Sequence, residues 1–308
     1  MKKIIIGHTG YIGSMLLHEF NKKNFNILGI SRNKNIYNSG NNNPNFAEIN
    51  TNIFKEIICD KLAIENRPTI YICAHNHQSN FFIKRKSLEF TYMNNISFYK
   101  NFFKNIKLLN PKKLIFLSSS GSLYDNSSQT FPSNEYSNLN PVSEYGLSKF
   151  IFENLLIDFS KKNELQLVIC RVSTIYGNSN SIKKFGFINY LINCALNEIT
   201  PVIYGKDTYR DYLHIKDLIE VLIEISNKDL LSNIYNISYG KSYSCMQIYN
   251  KVKIYLNKLG YQIKNFEEKG IRLGENSKIF ISSDKLKNEL IWSPSININE
   301  GINTLKIN

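Results

Sequence analysis

Apolar residues along this chain fall first into short unbroken runs and then into helical spacing, and the two patterns alternate. The run Ile4-Ile5-Ile6 has strand length and no polar face, which is how a strand covered on both sides reads. Behind it, Ser14-Met15-Leu16-Leu17-His18-Glu19-Phe20 carries apolar positions at helical spacing. Residues 25–30, 69–74, 113–117 and 165–170 read as further strands, and residues 53–66, 90–106 and a helix beginning near Ser143 supply the segments between them. Such alternation predicts an α/β fold: a doubly wound parallel sheet with helices on both faces. Past Gly177 the alternation weakens into a basic Asn/Ser loop, a helix around residues 187–195 and the run Val202-Ile203-Tyr204-Gly205. The boundary expected near Gly177 separates residues 1–177 from residues 178–308, a smaller C-terminal α/β domain partly interleaved with the first.

Composition narrows the class. A chain of 308 residues with 43% hydrophobic and 20% charged residues can bury a full core. Its 38 Lys+Arg against 25 Asp+Glu give a net charge of +13, but the basic residues are scattered among acids rather than gathered into an arm. That argues against a nucleic-acid partner and for an anionic small-molecule substrate or a Lys-, Asn- and Ile-rich genome. Five cysteines, Cys59, Cys73, Cys170, Cys194 and Cys245, are widely spaced in mostly apolar runs and read as reduced core residues of a cytoplasmic protein. His75-Asn76-His77 lacks nearby carboxylate or thiolate partners, so no metal site is expected. Neither a leader nor a run near the roughly 20 apolar residues of a membrane span is present, so no membrane partner is expected.

The candidate chemistry begins at Gly7-His8-Thr9-Gly10-Tyr11-Ile12-Gly13. Three glycines between a strand and a helix leave no side chains where a diphosphate must approach the backbone, and the helix behind aims its positive dipole end at that anion. Tight packing alone is the competing explanation. The second strand ends in Ser31-Arg32, with no Asp or Glu until Glu48. An acid there binds the ribose 2′-OH of NAD, whereas a basic residue accommodates the 2′-phosphate of NADP. Arg32 can pair bidentately with that phosphate; a solvated surface arginine is the alternative.

Further polar signals lie at strand ends, where α/β sheets place their sites: Ser118-Ser119-Ser120 and the loop before Tyr145. Tyr145 and Lys149 stand four apart on a helix and share a face. A tyrosine exchanges protons near neutral pH only if its pKa falls from about 10, and an ammonium beside it favours the phenolate, as Lys149 could for Tyr145. The hydroxyl of Ser120 could then hold a carbonyl oxygen while charge develops. An ordinary amphipathic helix remains possible, since YxxxK arises easily in a chain with 19 tyrosines.

Taken in order, these residues resemble the extended short-chain dehydrogenase/reductases that act on nucleotide sugars, the NAD-dependent epimerase/dehydratase family. The GxxGxxG loop is Gly7, Gly10 and Gly13; the run starting Asn95-Ile96-Ser97 is similar to "NVxGTxNLL"; Ser118 to Tyr124 is similar to "SSxxVYG". YxxxK is Tyr145 and Lys149, Arg171 to Gly177 resembles "RxxNVYGP", Arg210 to Asp217 resembles "RDFVHVDD", and Ser283 to Pro294 is similar to the family's closing "DxSKAKxELGWxP" segment. The resemblance implies a Rossmann-type dinucleotide-binding domain over residues 1–177, a mainly substrate (nucleotide-sugar) domain over residues 178–308, and NADP(H), or alternatively NAD, held by Gly7, Thr9, Gly10, Tyr11, Ile12, Gly13, Ser31, Arg32, Ala74, Asn95, Tyr145 and Lys149. It implies Ser120, Tyr145 and Lys149 as catalytic residues, with Ser120, Thr174, Arg210 and Arg272 on the nucleotide sugar. Departures count too: Asp125 replaces the glycine of "VYG", Thr174 the asparagine of "RxxNVYGP", and Gly121-Ser122 the Asp-Glu pair that the 4,6-dehydratases use for water elimination.

Without those carboxylates dehydration is not expected. The missing acid at the second strand end and Arg32 favour an NADPH-dependent ketoreductase, acting on a 4-keto, 6-deoxy sugar on a nucleoside diphosphate in surface-polysaccharide sugar biosynthesis. An NAD-dependent nucleotide-sugar 4-epimerase is the alternative, and a non-catalytic dinucleotide-binding scaffold a second. By fold analogy a homodimer is expected through the helices carrying Asn95 and Tyr145.

Overall fold

The computed structural model describes residues 3–31, 46–50, 67–74, 86–125, 131–178 and 186–307. Seven strands form one sheet in the order β10-β6-β5-β4-β1-β2-β3, where β1 is Lys3–Ile6, β2 Ile27–Ser31, β3 Phe46–Asn50, β4 Thr69–Ile72, β5 Lys113–Ser119, β6 Gln166–Val172 and β10 Ile234–Ile237. Every pairing in this sheet is parallel. The chain runs outward from β1 through β2 to β3, then returns to β4 on the other side of β1. A crevice therefore opens at the carboxyl ends of β1 and β4, where the strand order reverses.

Apolar runs on both faces explain the sheet's depth. Ile5, Tyr71, Ile115, Leu117 and Val168 pack on one side with Leu16, Leu17 and Phe20 of α1 (Tyr11–Lys22) and with Leu218, Leu222 and Ile225 of α5 (Ile215–Asn227). Ile4, Ile70, Ile72, Leu114 and Phe116 pack on the other, against Tyr99, Phe102 and Ile106 of α2 (Leu88–Leu109) and Ile151, Phe152 and Leu156 of α3 (Glu144–Lys162). Phe152 lies at the centre of that second layer, stacked on Tyr99 at 5.5 Å and edge-on to Phe102 and Phe116 at 5.1 Å. These rings add directional contacts to simple burial, and they fix α3 over β5.

The start of α3 is placed by local chemistry. Ser143 accepts the Gly146 N–H at 3.1 Å, the expected N-cap arrangement. Glu144 then accepts from Thr91 Oγ1 at 2.6 Å and from the Lys86 N–H at 2.9 Å, joining the beginnings of α2 and α3.

The later part of the chain builds a second, smaller core. It contains α4 (Phe187–Leu196), α6 (Cys245–Lys258) and α8 (Ile298–Asn303), with a sheet of β7 (Thr174–Tyr176), β9 (Tyr209–His214) and β11 (Ser242–Ser244), and a pair of β8 (Val202–Tyr204) and β12 (Glu267–Lys269). Tyr176, Ile188, Leu191, Tyr212, Ile248 and Val252 fill it. Two elements beyond Gly177 nevertheless belong to the large sheet: β10 extends it beside β6, and α5 covers its face. Asp211 of β9 accepts the Tyr239 and Gly240 N–H groups at 2.9 and 2.7 Å, and Asp217 of α5 accepts Ser295 and Ile296 N–H at 3.1 Å. These two buried carboxylates stitch the cores together. A further helix, α7 (Asp284–Leu290), packs through Leu286 and Leu290 on the large core.

Candidate active site

The glycine loop emerges from β1 into the crevice. Gly7 has φ +89°, and a Cβ there would stand 2.7 Å from Ala74 Cβ and 2.8 Å from its nitrogen. A Cβ on Gly13 would stand 2.2 Å from the Gly7 carbonyl oxygen. Only hydrogen fits at either place, because the obstacle is main chain or lies against it. Gly10 donates to the Gly7 carbonyl at 3.0 Å and receives the Ser14 N–H at 2.9 Å, closing the turn into α1. That helix starts with no side-chain cap and no acid in its first turn, so its positive end meets the loop unopposed. Thr9, Tyr11 and Ile12 flank the turn half-buried and Gly10 is exposed. This cradle fits a dinucleotide diphosphate.

Two residues of the loop have partners that were not legible in advance. His8 is fully buried against Gly29 of β2, where a Cβ would stand 2.8 Å from the imidazole ring. Tyr11 donates its hydroxyl to the Gly177 carbonyl at 2.7 Å, tying the loop to the point where the second core begins. Ser31 closes β2, buried, in register with Asn50. Arg32, His75 and His77 lie outside the described residues, as does the helix expected over residues 53–66. Ala74 sits at the end of β4, its N–H on the Ile6 carbonyl at 3.1 Å. Asn95 is buried and spends an amide N–H on the Thr91 carbonyl at 2.8 Å, one turn back along α2.

On α3, Lys149 is buried and donates to the Leu117 carbonyl at 2.8 Å. Its ammonium is 4.6 Å from the Phe116 ring centroid and 5.7 Å from that of Tyr145. Burial pushes Lys149 down to about 8, against the opposing pull of the Glu153 carboxylate and the Cys73 thiol. The expectation that Lys149 lowers the Tyr145 phenol is not met in the protein alone. Burial pushes Tyr145 up to about 12, with a hydrogen bond to Ser119 acting in the opposite direction. The ammonium is directed at a carbonyl and an aromatic face, so desolvation outweighs its effect on the phenol. Burial thus keeps the phenol protonated at neutral pH.

The serine run divides between environments. Ser119 is half-buried and hydrogen-bonded to the Tyr145 hydroxyl. Ser120, the hydroxyl expected beside the tyrosine, is fully buried, and its Oγ has no hydrogen-bond partner among the described residues. Successive residues leaving a strand point to opposite faces, so the structure brings Ser119 and not Ser120 to the phenol.

Toward the second core, Thr174 stands half-buried in β7. Arg210 of β9 donates to the Tyr209 carbonyl at 2.8 Å and forms a short ion pair with Glu275. The Arg272 guanidinium lies 3.9 Å from the Tyr204 ring centroid, a cation–π geometry. Glu275, three residues past Arg272, has no assigned role in the sequence reading, because its partner Arg210 lies 65 residues away in the chain.

A sequence model of the NAD dependent epimerase/dehydratase family matches residues 4–238. The chain belongs to that family. It is 25% identical over 304 residues to a putative UDP-glucose 4-epimerase of Methanocaldococcus jannaschii, covering 97% of this chain and 95% of that protein. It is 29% identical over 231 residues to a dTDP-4-dehydro-6-deoxyglucose reductase of Escherichia coli, covering 74% and 70%. A dTDP-D-glucose 4,6-dehydratase of Dictyostelium discoideum is 32% identical over 271 residues, 82% of this chain and 61% of the relative. Among solved structures, the UDP-glucose 4-epimerase of Thermotoga maritima with UDP-glucose superposes with a TM-score of 0.80 at 21% identity, covering 98% and 96% of the two chains. The UDP-glucuronic acid 4-epimerase of Bacillus cereus, in complex with UDP-glucuronic acid and NAD, gives 0.79 at 21% identity, with the same coverage. The fold is that of an extended short-chain dehydrogenase/reductase, and the chain is an enzyme of this NAD(P)-dependent class. No helix among the described residues is long and apolar enough to cross a membrane, and no His/Cys/Asp/Glu group among them could hold a metal ion.

Proposed function

We propose that the protein reduces a 4-keto, 6-deoxy sugar on a nucleoside diphosphate carrier, using NADPH. The observation that carries this reading is the carboxyl end of β2: it closes in Ser31, Arg32 follows, and no Asp or Glu occurs before Glu48. A ribose 2′-OH would lack its usual acceptor there, whereas a guanidinium suits a 2′-phosphate. Gly121-Ser122 in place of an acid pair removes the groups that water elimination needs. The E. coli relative bears the name of a 4-keto sugar reductase, and that activity is carried here as a proposal.

In this reading Gly7, Thr9, Gly10, Tyr11, Ile12 and Gly13 hold the cofactor diphosphate, Ala74 lies on the adenosine side, and Lys149 binds the nicotinamide ribose. When bound there, NADPH would supply the hydride that the sugar's carbonyl carbon takes up. Tyr145, kept protonated by burial, gives its proton to the carbonyl oxygen, which suits it to the reductive direction. Ser119 orients that phenol, and Ser120 remains the candidate second hydroxyl on the sugar oxygen. Arg210 and Arg272 offer guanidinium forks to the carrier's phosphates, with Glu275 holding Arg210 until they arrive. The working unit is a homodimer paired through α2 and α3.

The test is an NADPH-consumption screen over 4-keto-6-deoxy sugars on GDP, CDP, UDP and dTDP, with Ser119→Ala and Ser120→Ala to separate the hydroxyls. NADPH oxidation with one carrier is expected; oxidation with none overturns the reading. A second reading, a nucleotide-sugar 4-epimerase, is favoured by the M. jannaschii relative and by NAD in the B. cereus structure. It predicts purified protein with tightly held NAD and sugar interconversion without net cofactor use.

A further inference from the structure

Tyr145, Lys149 and Glu153 repeat every four residues along α3 and so share one face of it. Glu153, 2% exposed, meets the equally buried Arg171 of β6: Nη2 is 2.7 Å from Oε2, and Nε stands 3.2 Å from both carboxylate oxygens. The same guanidinium donates through Nη1 to the Tyr124 hydroxyl at 3.2 Å and lies over its ring at 5.3 Å. Tyr124 donates in turn to Asn236 Oδ1 at 2.6 Å. Asn236, fully buried in β10, passes an amide N–H to the Ser282 carbonyl at 3.0 Å, and its backbone N–H goes to Glu135 at 2.7 Å. Tyr124 also ends the turn that Ser120 begins, its N–H closing on the Ser120 carbonyl at 3.5 Å. One buried chain of contacts thus joins the helix of Tyr145, the serine turn, the last strand of the large sheet and the segment leading into α7.

Stability alone is a poor explanation for two charges placed here. Desolvating an ion pair costs several kcal/mol per ion, and apolar side chains of similar volume fill such a space as well or better. The ion pair's location offers another role. Lys149 meets the Phe116 ring and Leu117 carbonyl from β5 and the Tyr145 ring from its own helix, and the Glu153 carboxylate and Cys73 act on its charge from farther away. Glu153 is the full negative charge among these groups, and Arg171 fixes its orientation.

We propose that Glu153 and Arg171 are positioning residues of the Tyr145–Lys149 centre: the carboxylate is the counter-charge that keeps Lys149 an ammonium, and the guanidinium fastens the serine turn to the helix that carries the tyrosine. This rests on the reading of Tyr145 and Lys149 as the proton-transfer pair. Burial drives Lys149 toward its neutral amine and Glu153 opposes that loss, while Arg171 fixes the carboxylate in place through Nε and Nη2.

The experiment is a pH titration of the full-length protein labelled with 13Cε-lysine, the Lys149 resonance being assigned by its loss in Lys149→Met. In Glu153→Gln the Lys149 midpoint is expected to fall by about 1 pH unit, and in Glu153→Asp, which keeps the charge, to stay near that of the wild type. Because Glu153→Gln strands a buried Arg171, the paired variant Glu153→Leu with Arg171→Met supplies a charge-free core that folds; its midpoint is expected to fall in the same direction. The paired variant is also expected to lose about tenfold in kcat at pH 8 with KM little changed. A folded Glu153→Gln protein or paired Glu153→Leu, Arg171→Met protein that keeps the wild-type midpoint overturns the proposal. A shifted midpoint in a protein whose wild type reduces no 4-keto nucleotide sugar leaves it standing and instead removes the reductase reading.

Discussion

In the proposed reading, recognition at the glycine-loop end of the site falls to the main chain, whereas at the arginine end it falls to side chains that already have partners in the protein. Gly7 and Gly13 leave no room for a Cβ against Ala74 and the Gly7 carbonyl, so the loop packs main chain against main chain. Arg210 is paired with Glu275, and Arg272 rests on Tyr204; both guanidinium groups must exchange a partner to meet a phosphate. A rigid, backbone-built cradle suits a group common to many enzymes, while an exchangeable side-chain array suits the part of the ligand that differs between them. The contrast makes the two ends separable by mutation.

The largest effect is expected at Gly13→Ala. The new methyl would have to displace main chain 2.2 Å away, and dinucleotide affinity measured by fluorescence titration should fall more than about 100-fold, a cost above about 2.7 kcal/mol. Retained affinity would show that the loop yields, and the contrast would fail. Next is Tyr145→Phe, which removes the proton donor and leaves the cradle intact. Its kcat should drop by about 10²- to 10⁴-fold, with dinucleotide affinity unchanged. At the other end, Arg210→Ala should raise KM for the nucleotide sugar by roughly 10- to 100-fold, the range for a lost charged hydrogen bond, without altering dinucleotide affinity. Coupled losses in both would mean that the ends are not independent.

The smallest effect concerns acid stability of the second core. His214 caps α5 by accepting the Lys216 N–H at 3.3 Å, and burial pushes it down from 6.5 to about 4. Between those values the unfolded chain binds more protons, so stability should decline as pH falls from about 6.5 toward 4. On the same strand Asp211 is pushed up to about 6 by burial, which works in the opposite sense and reduces the net decline. His214→Asn, which can still cap the helix, should flatten the acid limb in urea unfolding by about 1 kcal/mol. An unchanged limb would assign acid sensitivity elsewhere.

The same contrast governed what the sequence made readable. Strand runs, the glycine spacing and the shared face of Tyr145 and Lys149 follow from local periodicity, and β1, α1, β4, β5 and α3 appear within a few residues of where that periodicity puts them. The Ser119 contact was not readable, because it depends on how the pleat turns at the end of β5. Nor was the high Tyr145 phenol, because it depends on where the Lys149 ammonium points. The short run of β10 gave no sign of rejoining the large sheet, since its partner β6 lies more than sixty residues earlier in the chain. Gly29 looked like an ordinary strand residue until the His8 ring filled the space beside it.

The central claim is net reduction paid in NADPH, and it is tested most directly by following NADPH absorbance and sugar product together with a 4-keto-6-deoxy nucleotide sugar. The account predicts stoichiometric oxidation by the wild type, abolished in Tyr145→Phe, with NADPH strongly preferred over NADH. Sugar interconversion by protein that retains bound NAD, with no net loss of NADPH, would contradict it.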